Sequence, residues 1–336
     1  MMRAELGSRS PIRPEELSIV VCGPWLGELT FRSFASLLRH FSPAQFIFST
    51  WEAMPAAPAP FSTVYSLDPG EIGGLSPNSL RVHVASAAGL ACTDRPYVLR
   101  CRSDLEWRDA RILAAGRGPI ARDSAFVVFG ERIVASGTVT RIVPHSRNTV
   151  GPTLHFVSDW LQLGRRADVA ALIGDEPPGP DDHLAIEQYW WSTLLRARGF
   201  WPAEWSSHGE TQPRDPFGLL ARYPTDPMDP RGRANLLLAN NFYIASPRQL
   251  GFRFAKYRFP VHARLISHDR SSARRLEEDC GLRDRPIAIV PSRGALRTLL
   301  CALDDSYSII SRARIRSRVR SLARRLSPEK PTPDAR

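Results

Sequence analysis

The sequence predicts an α/β protein built on a Rossmann-type, mostly parallel central sheet flanked by helices. Three observations predict it. Apolar, β-branched runs alternate with amphipathic segments through the first hundred residues, in the order strand, helix, strand, strand, helix, strand. Polar clusters fall at the carboxyl ends of those strands, where open parallel sheets hold their ligands. The chain has 336 residues with 43% hydrophobic content, enough for a sizeable core in one large domain or two closely joined ones.

Taken in order, "LSIVVCG" (17–23) is a short β-branched run ending in Gly23, hence a strand and a turn. "TFRSFASLLRHFS" (30–42) places Phe31, Phe34, Leu37, Leu38 and Phe41 at helical spacing, and "AQFIFSTW" (44–51) is the second strand. "STVYSLDPG" (62–70) is a third strand running into a turn. "NSLRVHVASAAGL" (78–90) is a helix with Asn78 as N-cap candidate, and "RPYVLRC" (95–101) is the fourth strand. Ser49 and Thr50 follow the second strand, Asp68 the third, and the run from Arg102 to Glu106 the fourth.

Further on, "AFVVFGERIVASG" reads as two strands and "SDWLQLGRRADVAALIG" as a helix, with Asp159 and Gln162 at capping-box spacing. After the Pro/Gly loop "DEPPGPDD" (175–182) comes a helix at 183–200. Residues 201–233 read as a long loop, and "ANLLLANNFYIAS" and "RFAKYRF" as segments returning to the fold. There is no internal repeat.

The formal charge of +11 raises the possibility of a nucleic-acid partner. Its distribution argues against one. Residues 309–336 hold eight arginines and one lysine against Glu329 and Asp334, a local excess of +7 that leaves +4 for the rest. No nucleic acid is expected as a partner. Five widely spaced cysteines without a C-x-x-C disfavour a disulfide framework or a zinc knuckle. No apolar run approaches the length of a bilayer span, and the polar start lacks the apolar core of a secretory signal. A cytoplasmic protein is expected. The P-loop, the G-x-G-x-x-G fingerprint, H-E-x-x-H and G-x-S-x-G are all absent, which disfavours the classes those motifs mark.

What remains is Asp104-Leu105-Glu106 at a strand end. Two carboxylates at that spacing suit a hard divalent cation, which takes oxygen ligands and keeps other sites for water and phosphates. Most such pairs are simply solvated. Glu187 shares a helical face with Leu184, Trp191 and Leu194, and a carboxyl facing a core must find a partner or shift its pKa upward.

"FSTW" (48–51), "DPG" (68–70), "NSLR" (78–81), "LRCRSDL" (99–105), "SDWLQLG" (158–164), "EQYWW" (187–191) and "NNFYIAS…KY" (240–257) occur in this order. The ordered set resembles the WavE lipopolysaccharide synthesis family over roughly residues 18–257. The resemblance implies a GT-A-like glycosyltransferase that moves a sugar from a nucleoside-diphosphate donor to a lipopolysaccharide or other surface-polysaccharide acceptor. It makes Asp104 the aspartate of the metal and diphosphate, with Mn2+ or Mg2+ as cofactor and Glu106 as a second ligand the family pattern does not require. Arg100, Arg102 and Ser103 then lie near the phosphates, where guanidinium forks fix oxygens in pairs. The alternative for Arg102 is an ion pair with Asp104 itself. Asn78 and Arg81 open a helix and form a plausible anion site, and Lys256 is a further phosphate candidate. Ser49, Thr50 and Asp68 lie on the nucleotide side. Glu187 or Asp159 is the expected base for the acceptor hydroxyl; for each, a structural role stays open.

The expected organisation is a disordered lead (1–16) and one GT-A-like domain (17–305). Its donor half covers about 17–130 and its acceptor half about 131–260. A C-terminal helical extension (306–336) follows. Within it Ile315, Val319, Leu322 and Leu326 form an apolar stripe among arginines, a helix suited to an anionic membrane surface. A non-catalytic relative that binds glycans stays open too. It would be favoured by an Asp104 buried in a salt bridge with no adjoining cavity.

Overall fold

Strand β2 (Leu17–Cys22) is buried along its whole length. Ile19 and Val21 face one apolar cluster and Val20 and Cys22 the other, because successive strand side chains point to opposite sides. A strand covered on both faces reads as a continuous apolar run, and each such side chain contributes about 1.5–3 kcal/mol by leaving water. The computed structural model describes residues 3–6, 9–70, 78–138, 140, 155–179, 185–200, 230–254 and 270–283. All lie in one compact unit, Met1–Ala288.

Around β2 stand β3 (Gln45–Trp51), β4 (Ser62–Ser66), β5 (Tyr97–Arg102), β8 (Ile133–Ser136), β9 (Leu161–Arg165) and β10 (Phe242–Ala245). Their order across the sheet is β10-β8-β9-β5-β2-β3-β4. All run the same way except β9, which is antiparallel to both β5 and β8. Helix α1 (Glu28–Phe41) buries Phe34, Leu37 and Phe41 in the cluster on one face. Helices α2 (Ser79–Ala91), α3 (Arg166–Ile173) and α4 (Ile186–Ala197) contribute to the cluster on the other. This is the expected α/β architecture, a mostly parallel sheet between helical layers.

Two short ribbons flank the sheet. In one, β6 (Leu105–Trp107) pairs antiparallel with β11 (Phe252–Phe254). In the other, β1 (Arg3–Leu6) pairs with β7 (Ile120–Asp123). The lead expected to be disordered therefore supplies a paired strand, followed by a 3-10 turn at Pro14–Glu16.

Other expectations need correcting. The helix expected from residue 158 begins only at Arg166, and Leu161–Arg165 is a strand. Gly164 explains part of this: a Cβ there would lie 3.2 Å from Ile133 Cγ1, so the strand packs closely on its neighbour. No capping box forms at Asp159, and Gln162 Nε2 donates to the Ser158 carbonyl instead. Of the two strands expected at 125–137, only β8 forms, preceded by a 3-10 turn at Ser124–Phe126. Phe31 stays 53% exposed, off the buried stripe of α1. A further helix, α5 (Pro230–Asn241), leads into β10, a short α6 (Pro247–Leu250) precedes β11, and α7 (Arg270–Asp279) closes the described chain. Lys256, residues 201–229 and the basic C-terminal segment lie outside the described residues.

Candidate active site

Arg100 and Arg102 are two apart on β5 and share a side of the strand. Arg100 is 1% exposed, a guanidinium inside the protein. Its Nε donates to Ser86 Oγ at 3.0 Å, and its Nη1 donates to the Asp159 carbonyl and to Gln162 Oε1. Its charge lies 5.1 Å from the centre of the Trp190 ring. A buried charge needs such partners, and all of these are uncharged.

Arg102 reaches the end of the strand. Its Nε and Nη2 donate to the two oxygens of Asp104, at 3.0 and 2.9 Å. Asp104 is 2% exposed, whereas the Arg102 side chain is 30% exposed. The guanidinium sits 5.1 Å above the ring of Phe254, which stacks on Trp160 at 4.3 Å. Trp160 is thus part of the packing that supports Arg102.

These groups face a cavity of about 370 Å³ at the carboxyl ends of β2, β3 and β5. Asp68, Asn78, Arg81, Arg100, Arg102, Ser103 and Asp104 all line it. Asp68 accepts from Arg81 Nε and Nη2 at 2.7 and 2.8 Å, and that guanidinium holds its carboxyl below the usual carboxylate range. Asn78 makes no helix-capping bond; its Oδ1 accepts from Arg81 Nη1 at 3.3 Å. Ser103 Oγ donates to the Pro24 carbonyl, and Ser103 N to the Cys22 carbonyl, which ties the strand end to the turn after β2. Gly23 makes that turn with φ +124°, and a Cβ there would stand 3.2 Å from Ser103 Oγ.

Asp159 and Glu187 form a carboxyl pair near Arg102. Asp159 is 4% exposed, and Glu187, in the first turn of α4, is half-buried. Burial first, and then the charge and hydrogen bond of Asp159, push the Glu187 carboxyl up to about 8, while the Arg102 charge works the other way. Glu187 therefore holds its proton at neutral pH.

The remaining sequence candidates lie elsewhere. Ser49 and Thr50 are wholly buried at the end of β3 and do not line the cavity; the Ser49 carbonyl accepts from Gly23 N. Glu106 is on the β6–β11 ribbon, bound by Arg253 and by Arg32 at 2.7 Å each. Burial raises its pKa, but those two arginines together bring it below the ordinary value. Strand alternation explains the separation, since neighbouring ribbon residues point opposite ways.

A divalent cation would thus find little to hold it. Both oxygens of Asp104 are taken by Arg102, those of Glu106 by two arginines, and no group of three His, Cys, Asp or Glu converges among the described residues. That set does not fit a Mn2+ or Mg2+ site. The sequence reading also missed Trp51 and Met54, which wall the cavity beside Val82. The one signal for them was position, immediately after a strand end.

Residues 17–177 match the family model described as WavE lipopolysaccharide synthesis. No curated protein matches the chain. Three similar solved structures are each 12% identical to it. One is a Drosophila beta-1,4-galactosyltransferase 7 mutant with manganese, UDP-Gal and xylobiose (TM-score 0.29; 55% of this chain, 61% of that one). Another is a mannosyltransferase from Pyrobaculum calidifontis with GDP-Man and Mn2+ (TM-score 0.38; 89% and 71%). The third is the apo form of the glycosyltransferase GlyE of Streptococcus pneumoniae (TM-score 0.26; 69% and 45%). The chain spans less than two-thirds of the first and the third.

Proposed function

We propose that this chain, whose residues 17–177 match the model of the WavE lipopolysaccharide synthesis family, is a glycosyltransferase using a nucleoside-diphosphate sugar. The acceptor we propose is a lipopolysaccharide or another surface polysaccharide, free or lipid-linked. The single observation that carries the reading is the cavity at the strand ends, lined by Arg81, Arg100 and Arg102. Arginines anchored by carboxylates, amides and rings are preorganised donors for phosphate oxygens. Trp51 and Met54 offer an apolar wall to a base.

In the transfer, the bond from the anomeric carbon to the diphosphate oxygen breaks, and its electron pair leaves with the diphosphate. The acceptor hydroxyl oxygen forms the new bond and gives up its proton. Asp159, the partner of Glu187, is the residue we assign to take this proton. Asn at position 159 could not.

A buried, salt-bridged Asp104 with no cavity beside it would favour the non-catalytic alternative. Asp104 is salt-bridged, yet it lines a cavity of about 370 Å³. The test is release of nucleoside diphosphate from a panel of UDP-, GDP- and ADP-sugars, with and without a glycan acceptor fraction. One sugar nucleotide should be turned over faster with acceptor, and Asp159→Asn should lower kcat roughly 100-fold with little change in KM. Binding of the donor with no turnover under any acceptor would favour the non-catalytic relative.

A further inference from the structure

We propose that Arg102 stands where the sequence led us to expect a divalent cation: a guanidinium, not a metal, faces the leaving diphosphate. The inference rests on the nucleotide-sugar reading above and deepens it.

The first argument is geometric. A metal bound at Asp104 needs a lone pair on one of its oxygens, and each oxygen already accepts one bond of a fork with Arg102, whose positive charge would repel a cation there. The fork is braced from a second direction by the Phe254 ring, itself stacked on Trp160. Displacing the arginine would leave a carboxylate that is 2% exposed without its counter-charge, which is a costly state inside a protein. Glu106, the other carboxylate of the sequence pair, is held on the neighbouring ribbon by Arg32 and Arg253.

The second argument is charge balance. Of the three arginines lining the cavity, Arg81 is matched by Asp68 and Arg102 by Asp104. Among the described residues, Arg100 bonds only to uncharged groups in Ser86, Gln162 and the Asp159 carbonyl. Among the described residues the lining is therefore left with a net positive charge, the sign that a diphosphate requires. As the glycosyl bond breaks, its electron pair passes to the departing phosphate oxygen. Guanidinium N–H groups stabilise the added charge while keeping their own protons, since arginine does not deprotonate in this range. Asp104 is then a positioning residue that aims Arg102, rather than a metal ligand.

Calorimetric titration of the full chain with UDP, GDP, ADP and CDP, first in EDTA and then in excess Mn2+, tests this. One nucleotide should bind in EDTA, with its Kd changing less than about threefold on adding Mn2+. Arg102→Ala should weaken that binding by about tenfold, the usual scale for a lost hydrogen bond to a charged group. Binding that appears only with Mn2+, or tightens more than about threefold with it, overturns the inference and leaves the nucleotide-sugar reading intact. So does an Arg102→Ala protein that binds in EDTA within about threefold of wild type. No binding of any of the four nucleotides in either buffer overturns the nucleotide-sugar reading itself, and this inference with it. Should Arg102→Ala fail to fold, as judged by circular dichroism, the wild-type comparison of EDTA with Mn2+ decides alone.

Discussion

Glu187 links burial of a single carboxyl to a pH dependence of the whole fold. Its helical face suggested a carboxyl deprived of water, and burial beside Asp159 raises its pKa to about 8. The sign of the pH effect follows. Between the ordinary carboxyl value and about 8, the folded protein binds a proton the unfolded chain has released, so stability falls as pH rises through that window. The contribution is fully present at acid pH and lost above 8. Glu187→Gln removes this dependence, so the melting temperature of the wild type relative to the variant should decline from pH 5 to about 8 and level off above it. Parallel curves for the two proteins would show that Glu187 does not hold its proton. Arg100 is a second residue-scale case: it was read as lying near phosphates, and it lines the cavity from a position that is almost wholly buried.

Among the elements, α2 does most to position the site. It presents Arg81 and Asn78 to the cavity from its first turn and Ser86 to Arg100 from its middle. It can do so because Gly89 lets it approach β2 and β3. An added Cβ would lie 2.3 Å from Val20 Cγ1 and 2.9 Å from Ser49 Cβ. Alanine at this position would gain up to about 1 kcal/mol in helix propensity, against about 1–3 kcal/mol for overpacking a filled core. Overpacking wins in that comparison. Gly89→Ala should lower the urea midpoint with an unchanged slope, and an unchanged midpoint would mean that α2 rides outward at no cost. The segment 158–173 shows the opposite limit of local reading. Leu161 and Leu163 alternate while Val169, Leu172 and Ile173 are spaced for a helix, and the join at Arg165 and Arg166 carries no Pro or capping side chain to mark it.

At the scale of the whole molecule, the arginine-rich body uses its charge internally. Glu131 gathers Arg9, Arg117 and Arg165, and Glu277 gathers Arg132, Arg270 and Arg283. Glu277 is 2% exposed and ties α7 to Arg132 at the start of β8. The C-terminal segment is different in kind, with nine basic residues against two acidic ones over 309–336. Among the described residues, no helix is long and apolar enough to cross a membrane. We propose that residues 310–326 lie on the anionic surface of the cytoplasmic membrane, where a lipid-linked acceptor would be met. The full chain should then sediment with vesicles containing phosphatidylglycerol and lose that binding in 0.5 M salt or on truncation after Ser308. Equal sedimentation with neutral vesicles would refute the surface role.

The sequence by itself determined the parallel half of the sheet, the places where its strands end, and the polar groups at those ends. It could do so because strand periodicity, breaking residues and burial on both faces are local properties, written into runs such as "LSIVVCG" and "AQFIFSTW". Which of those polar groups share a cavity depended on tertiary structure alone. Asp104 and Glu106 look like a pair in sequence, yet pairing of β6 with β11 delivers Glu106 to Arg253 while Arg102 folds back on Asp104. Asp159 and Glu187, 28 residues apart, meet only because Asp159 lies two residues before β9 and Glu187 is in the first turn of α4. Side-chain partnership is set by which surfaces pack, and no local spacing encodes it.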